Sequence, residues 1–442
     1  MTTRRTFLLA TATATATAAL AARVPLAAEA KGTRPLPELV PDRDLPVLPL
    51  DVEASRAERT LILEDGKPLN YSPAGLVVEI PAGAEIPLPW WQFKANPNHG
   101  FAPGARIILR GGKGGPKPRL FVPGDEALLF VSNGTRQPLS FELENLHLVG
   151  GTGGNALHGV ALRFIRVSNC RIEGGRNGFF LPVDPTIALA EDSTFVHGGT
   201  GDGLTHCMYL GYIERFTARR CTFVAARAEG HALKCYAAHT ILKECRVSNW
   251  DSVADRDAGY YGLLPPVDLG AWARTTLVGN TFVRRGPART HALEYRNRQY
   301  PRNFYEYVTP DWGTAIVDHR LVDNRDPRNP HLFHHVLANN RFINGVLPDG
   351  GPDPKIRANP GRAARNNGSG PWASHGDPEP GHGTKPADFK PWNERSVVWA
   401  VGNRCEGVPF ERQWDEVPHG HPEDTAPIRA LERLPDFLRH EV

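Results

Sequence analysis

A short unit recurs along this chain at a spacing of roughly 25 residues. It reads as an apolar residue, two others, then Asn, Cys or Ser, one more, and a second apolar residue. Clear copies are Val167-Cys170-Ile172, Ala190-Ser193-Phe195, Ala218-Cys221-Phe223, Leu242-Cys245-Val247, Leu277-Asn280-Phe282 and Leu337-Asn340-Phe342, with a fading Ala400-Asn403-Cys405. An earlier copy is centred on Asn145, where Glu142 and His147 interrupt both apolar positions. The steps between central residues are 25 (Asn145 to Cys170), 23 (to Ser193), 28 (to Cys221) and 24 (to Cys245). A step of 35 to Asn280 requires a loop insertion, and steps of 60 and 63 leave room for two coils or for one with long insertions. Self-similarity at a fixed period marks a solenoid. The apolar pieces are too short for the helices of helical repeats, so each coil is built of strands. Strands stacked about 4.8 Å apart turn alternate residues inward, and equivalent positions form columns. Phe195, Phe223, Phe282 and Phe342 are then expected to stack as one ladder, with Asn and Cys filling a turn beside it and Asn amides bonding from coil to coil. High Gly (44) and Pro (40) with only 2 Met agree with a turn-rich β protein.

The coil length, the Asn/Cys column and the aliphatic and aromatic stack resemble the pectate-lyase-like right-handed parallel β-helix superfamily, over roughly Leu139 to Gly407. The resemblance implies an all-β, right-handed parallel β-helix. It leaves the activity open, because that superfamily includes lyases, hydrolases, epimerases and non-catalytic tailspikes. The expected organisation is a signal peptide over 1–30, an N-terminal cap and irregular early coils over 31–138, a central helix over 139–345, and loop-rich coils with a cap over 346–442. Residues 35–49 are Pro-rich and are expected to wrap the first coil. Residues 346–393, dense in Gly, Pro, Asn and Asp, read as a long loop. The Ile428 to Leu434 piece has helical spacing and is expected to close the last coil.

Thr3-Arg4-Arg5-Thr6-Phe7-Leu8-Leu9 resembles a twin-arginine export motif, followed by an Ala/Thr run and an Ala28-Glu29-Ala30 cleavage site. The run is too short and too poor in Leu, Ile and Val for a membrane anchor. The expected location is therefore periplasmic or secreted, with no membrane association after signal removal. A formal charge of +3 on 442 residues gives no footprint for nucleic acid. None of the six cysteines forms a CxxC pair, so a structural zinc site has no support, and the repeat register reads most of them as small interior side chains.

A second recurrence is polar. His158-Gly159-Val160-Ala161, His206-Cys207-Met208-Tyr209, His231-Ala232-Leu233-Lys234 and His291-Ala292-Leu293-Glu294 share a frame of His and a variable residue three later. His206 to His231 and Tyr209 to Lys234 are both 25 apart, one coil. Residues i and i+3 of a strand face opposite ways, so a corner after the His is needed for both to meet one groove. Imidazole, phenol, ammonium and carboxylate together suit β-elimination from a uronic-acid polysaccharide. That reaction needs the substrate carboxylate neutralised, a base for the proton beside it, and an acid for the leaving oxygen. Lys234 with Arg227, Arg296 or Arg298 would hold the carboxylate, His206 or His231 would be the base, and Tyr209 the acid or a shared acid and base. Glu294 and Tyr295 complete the expected substrate contacts, and an acidic polysaccharide or oligosaccharide is the expected partner.

Other readings stand beside this one. No cofactor is required by these residues, but Asp251, Asp255, Asp257 and Asp268 would be oxygen ligands if Ca²⁺ were bound, although the ordered EF-hand spacing is missing. A glycoside hydrolase needs paired carboxylates, for which Asp184, Asp202, Asp268 and Glu294 are available without an Asp-Asp pair in sequence. An epimerase shares the first proton abstraction. A non-catalytic carbohydrate-binding β-helix would use Trp90-Trp91, Tyr260-Tyr261, Tyr295, Tyr300, Tyr305 and Tyr307 as stacking platforms.

Overall fold

Each coil contributes one strand to each of three parallel sheets, and this repetition generates the whole architecture. The computed structural model describes residues 37–415 and 428–431, apart from 70–73, 89–90, 95–101, 103, 125–127, 133–138, 271–273, 286–290, 297–332, 355–361, 368–395, 411 and the single positions 161, 183, 203, 212, 229 and 238. The first sheet runs from Val47–Asp51 through Leu162–Ser168, Ile213–Arg219 and Arg274–Val278 to Ile428–Leu431, with the antiparallel Ile62–Leu63 on its N-terminal edge. The second runs from Glu85–Pro87 to Arg404–Gly407 and the third from Trp91–Lys94 to Arg412–Asp415, ten strands each among the described residues. This is the parallel β-solenoid that the repeat predicts.

Alternation within strands makes the core. In the first sheet Leu143, Val167, Ala190, Ala218, Leu242, Leu277, Leu337 and Ala400 occupy one register column and are all buried. In the second sheet Phe195 stacks on Phe223 with centroids 5.1 Å apart, and Phe282 on Phe342 at 5.2 Å, while Val247 fills the coil between the two pairs. Near-parallel rings at this spacing add aromatic contact to burial.

The turn from the first sheet to the second explains the repeat motif. Its first residue lies in the left-handed region: Asn145, Asn169, Asp192, Arg220, Glu244, Gly279, Asn339 and Gly402 have φ between 49° and 66°. Its second residue is the column residue. Strand register therefore corrects the earliest copy by one position: Leu146, not Asn145, stacks on Cys170. The true copy is Leu143-Leu146-Leu148, all fully buried, while Glu142 points outward to Arg106. The displaced frame arose because Leu146 carries no Asn, Cys or Ser to reveal it, whereas Asn145 does.

Within the column, each side chain serves the coil before it. Asn280 Oδ1 accepts from the Cys245 N–H at 2.8 Å, and Asn340 Oδ1 accepts from the Asn280 N–H and Nδ2, both at 2.9 Å. Asn340 Nδ2 donates to Leu277 O at 2.8 Å and to Asn403 Oδ1 at 3.0 Å. The cysteines are free thiols; Cys170, Cys221 and Cys245 occupy this column, and Cys207 and Cys235 are buried elsewhere.

The longer steps are single coils. Thr275–Val278 pairs with His335–Ala338, and Phe333–Ala338 with Ser396–Val401, so the 60- and 63-residue intervals carry insertions rather than extra coils. The 35-residue coil holds its insertion between Arg246–Ser248 and Val267–Gly270, including a short helix, Val253–Asp257, capped by Ser252 Oγ. Two expectations fail near the C-terminus. Residues Arg362–Asn367, inside the expected loop, form a strand of the third sheet, and Ile428–Leu431 is a strand on Val398–Val401 rather than a helix. An exposed sheet edge supplies hydrogen bonds that override the local helical pattern. At the other end, Asp42, in the segment 35–49 expected to wrap the first coil, is ion-paired to Arg106 and Arg110 of the first sheet.

Replacing Asn340 by Ala removes the partners of the Asn280 N–H and the Leu277 carbonyl in one step. The expected cost is about 3 kcal/mol of unfolding free energy, read as a shift in urea midpoint, whereas Asn145→Ala, at a half-exposed turn position, should cost about 1 kcal/mol or less.

Candidate active site

The outer face of the third sheet carries the polar ladder. In the strand Met208–Leu210 the flanking Met208 and Leu210 point into the core, so Tyr209 faces outward. Leu233–Cys235 repeats the pattern with Lys234 outward, and Val267–Gly270 and His291–Arg296 do so with Asp268 and Glu294. Register places these four in one column: Tyr209 opposite Lys234, Lys234 opposite Asp268, and Asp268 opposite Glu294. Tyr209 and Lys234 are partly exposed, while Asp268 and Glu294 are buried.

His158 belongs to this column as well, through Phe180, which stands opposite both His158 and Tyr209. It is therefore three residues out of the frame assigned from sequence and is not equivalent to His206. Burial pulls its pKa down to about 4, leaving a neutral ring packed 4.8 Å from Phe180.

His206 and His231 precede their strands by a corner, which brings them to the same face. The His206 ring meets Tyr209 edge-on at 5.4 Å and lies 5.0 Å from the His231 ring. A chain of hydrogen bonds sets their tautomers. Asn155 Oδ1 accepts from Asn177, Asn177 Oδ1 accepts from the His206 N–H, and His206 Nδ1 accepts from the His231 N–H at 3.0 Å. His231 Nδ1 lies 2.6 Å from Pro265 O. A carbonyl only accepts, so this nitrogen must carry hydrogen. The consequences differ for the two rings. The Nδ1 lone pair of His206 is committed to a backbone N–H, so its proton sits on Nε2 and the ring is a donor there, not a base. His231 Nε2 lies 3.5 Å from Asp268 Oδ2, an acceptor that favours hydrogen on this nitrogen too, so His231 is a base there only in its neutral form.

Asp268 also accepts from the Tyr236 hydroxyl at 3.2 Å. The Lys234 ammonium stands 4.7 Å from the centre of the Tyr209 ring and 5.6 Å from that of Tyr236, within cation–π range. Burial and the Asp268 carboxylate together push the Tyr209 pKa up to about 12, so the phenol is a proton donor at neutral pH.

The remaining expected contacts divide. Glu294 joins the column. Tyr295, expected at the substrate, instead points into the core, where its hydroxyl is 3.1 Å from Thr275 Oγ1; alternation sends it inward because Glu294 points out. Arg296 ends the same strand opposite Gly270 and Asn367, and Arg298 lies outside the described residues, as do Tyr300, Tyr305 and Tyr307. Arg227 occupies the turn before Leu233–Cys235, its guanidinium 5.9 Å from the Tyr260 ring centre. Tyr260 and Tyr261 pack against Val196, Val224, Ala225 and Trp250. Of the expected calcium ligands, Asp251 pairs with Arg246 and Arg285, Asp255 with His197, and Asp257 with Arg256, while Asp268 is in the column. Among the described residues no group of three or more His, Cys, Asp or Glu is arranged to hold a metal. Asp184 lies in the first sheet and Asp202 accepts from the Leu204 N–H and Thr205 Oγ1 within its own loop.

Tyr236 was absent from the sequence-derived site, and Asp268 figured there only as a candidate metal ligand or hydrolase carboxylate. Asp268 lies 34 residues after Lys234, one short of the 35-residue step between Cys245 and Asn280, so the period alone points to the core residue Leu269 instead. Tyr236 lies beyond the end of its strand, and no periodicity marks it.

The phenol of Tyr209 should ionise only near pH 12. Ultraviolet titration of the native protein minus that of Tyr209→Phe should show a difference confined to this late limb, and a difference centred at the ordinary tyrosine value would mean that Asp268 and burial do not act on it.

Comparison of the chain with protein-family models, with curated proteins and with solved structures finds no match.

Proposed function

We propose that this protein is an exported polysaccharide lyase that cleaves an acidic, uronic-acid-containing polysaccharide by β-elimination on the outer face of the third sheet. The observation that carries this reading is the Tyr209–Lys234 pair: a neutral phenol and an ammonium, adjacent in register and both partly exposed. Lys234 neutralises the substrate carboxylate, which acidifies the proton beside it. In its neutral form His231 accepts that proton at Nε2, because Nδ1 keeps the hydrogen it donates to Pro265 O, and the resulting imidazolium faces the Asp268 carboxylate. Tyr209 protonates the leaving glycosidic oxygen, the bond to it breaks, and a double bond forms in the remaining sugar without addition of water. The Arg4-Arg5 motif and the Ala28-Glu29-Ala30 site support export to the periplasm or medium. A right-handed winding and a place in the pectate-lyase-like superfamily belong to the same proposal, supported by the repeat and by the strong preference of parallel crossovers for that hand.

One observation favours a second reading, a glycoside hydrolase. Asp268 and Glu294 are register partners on adjacent strands. Strand spacing sets such carboxylates about 5 Å apart, the separation used by retaining glycosidases. Both carboxylates are buried, as is the His231 ring of the first reading, so the ranking rests on the partly exposed Tyr209–Lys234 pair, which the hydrolase does not use.

Incubation with a panel of uronic-acid polymers separates the two. The lyase reading expects unsaturated, ultraviolet-absorbing products, while new saturated reducing ends alone would establish the hydrolase. Tyr209→Phe and Lys234→Ala should each lower the rate of product formation by roughly 10²–10⁴-fold with an unchanged circular dichroism spectrum. Full activity in both variants removes this face from consideration.

A further inference from the structure

Outside the candidate site, one titratable cluster joins the 249–266 insertion to the body of the solenoid. His197 follows the strand Thr194–Val196, and its Nε2 lies 2.7 Å from Asp255 Oδ1 on the helix Val253–Asp257. Its Nδ1 lies 3.3 Å from Glu173 Oε1, one coil back. Carboxylates only accept, so both contacts are hydrogen bonds only when both ring nitrogens carry hydrogen. The geometry is that of an imidazolium held between two anions. A neutral ring keeps one hydrogen, turns a lone pair toward one of the carboxylates, and loses its charge attraction to both.

The surroundings fit this role. Glu173 also accepts from Arg171 Nε at 2.8 Å and faces His147 Nε2 at 3.0 Å, so it is anchored to the second sheet from its own side. Asp255 belongs to the insertion, and Tyr260 of the same segment packs on the His197 ring at 4.5 Å, with the Arg227 guanidinium 5.9 Å from the Tyr260 ring centre. Among the described residues these, with the buried Cys207 thiol at its backbone, are the charged and titratable groups that meet His197 from the strands, the insertion and the neighbouring turns. His197 has φ 60° and lies between Gly174 at 69° and Ala225 at 59° in a column of left-handed turn residues, from which its imidazole reaches the insertion.

We propose that His197 is a pH-sensitive latch: protonated, it clamps the 249–266 insertion to the solenoid, and loss of its proton releases it. Burial lowers the pKa of this ring, but hydrogen bonds to Glu173 and Asp255 and the charges of both outweigh that and hold it above the ordinary 6.5. The sign follows. A raised folded value means that the stabilisation is fully present below the ordinary imidazole range and is lost as pH rises through the folded value. The same insertion supplies Pro265 O, which orients His231. Release therefore loosens the imidazole of the candidate site, a coupling that rests on the lyase reading.

The test is amide hydrogen exchange of residues 252–262 across roughly pH 6 to 9, expressed as protection factors so that the intrinsic pH dependence is removed. Protection should be flat at low pH and then fall, approaching about tenfold per pH unit for a one-proton linkage. His197→Gln should show low, pH-independent protection, and Arg220→Gln, in the exposed ion pair with Asp192, should keep the native dependence. Nitrogen-15 spectra of native His197 should show both ring nitrogens protonated at pH 6. Flat protection in the native protein, an unchanged dependence in His197→Gln, or a singly protonated ring at pH 6 each overturns the latch. Measured on the same samples, unsaturated product that forms at low pH and falls with protection supports the coupling. If protection falls but no polymer yields unsaturated product at any pH, the lyase reading fails and the latch stands.

Discussion

In-register parallel stacking is the constraint on which everything else in this molecule depends. Backbone hydrogen bonds run from coil to coil, so a residue in one strand has a fixed counterpart above and below it. Because side chains alternate, a one-residue slip would exchange core and surface along an entire strand. Coil length therefore varies at the turns, apart from one-residue register shifts near the strand starts at Leu162/Phe164 and Asp184/Ile187. The Ala190–Ala218–Leu242–Leu277–Leu337–Ala400 column continues across the 28-, 35-, 60- and 63-residue intervals.

The turn between the first and second sheets shows how such a stack satisfies its own backbone. A left-handed residue reverses the chain, and the next side chain enters the stack and takes hydrogen bonds from the coil before it. Where Asn fills this place the ladder is polar and continuous. Where Cys fills it, the thiols bond to carbonyls two residues back, as Cys221 does to Arg219 O at 3.4 Å. The corner into the third sheet uses the same device with different residues, passing from Asn155 through Asn177 and His206 to His231. That ladder is why two imidazoles in similar sequence contexts have different chemistry: one has its lone pair committed to an amide, and the other has its hydrogen committed to a carbonyl.

Much of the fold was legible in the residues. The repeat located its strands from Val167 to Phe342, because apolar columns must recur wherever coils stack, and the 25-residue step placed Tyr209 beside Lys234. The errors have physical causes. Leu146 hid the first turn because an apolar residue in the column looks like strand. His158 was misframed because a shared His at the head of four similar tetrapeptides says nothing about where the strand begins. Ile428–Leu431 has helical spacing, yet an open sheet edge took it.

By itself, the sequence determined the repeat, the identity of the core columns and the adjacency of Tyr209 and Lys234, since these follow from period and alternation alone. Only the tertiary structure decided that Asp268 enters the same column, that Tyr295 leaves it for the core, and that His197 reaches both Glu173 and Asp255. The reason is the same in each case. Insertions and corners break the period, so which groups meet beyond them depends on register and on where a turn redirects the chain, and neither is written in local spacing.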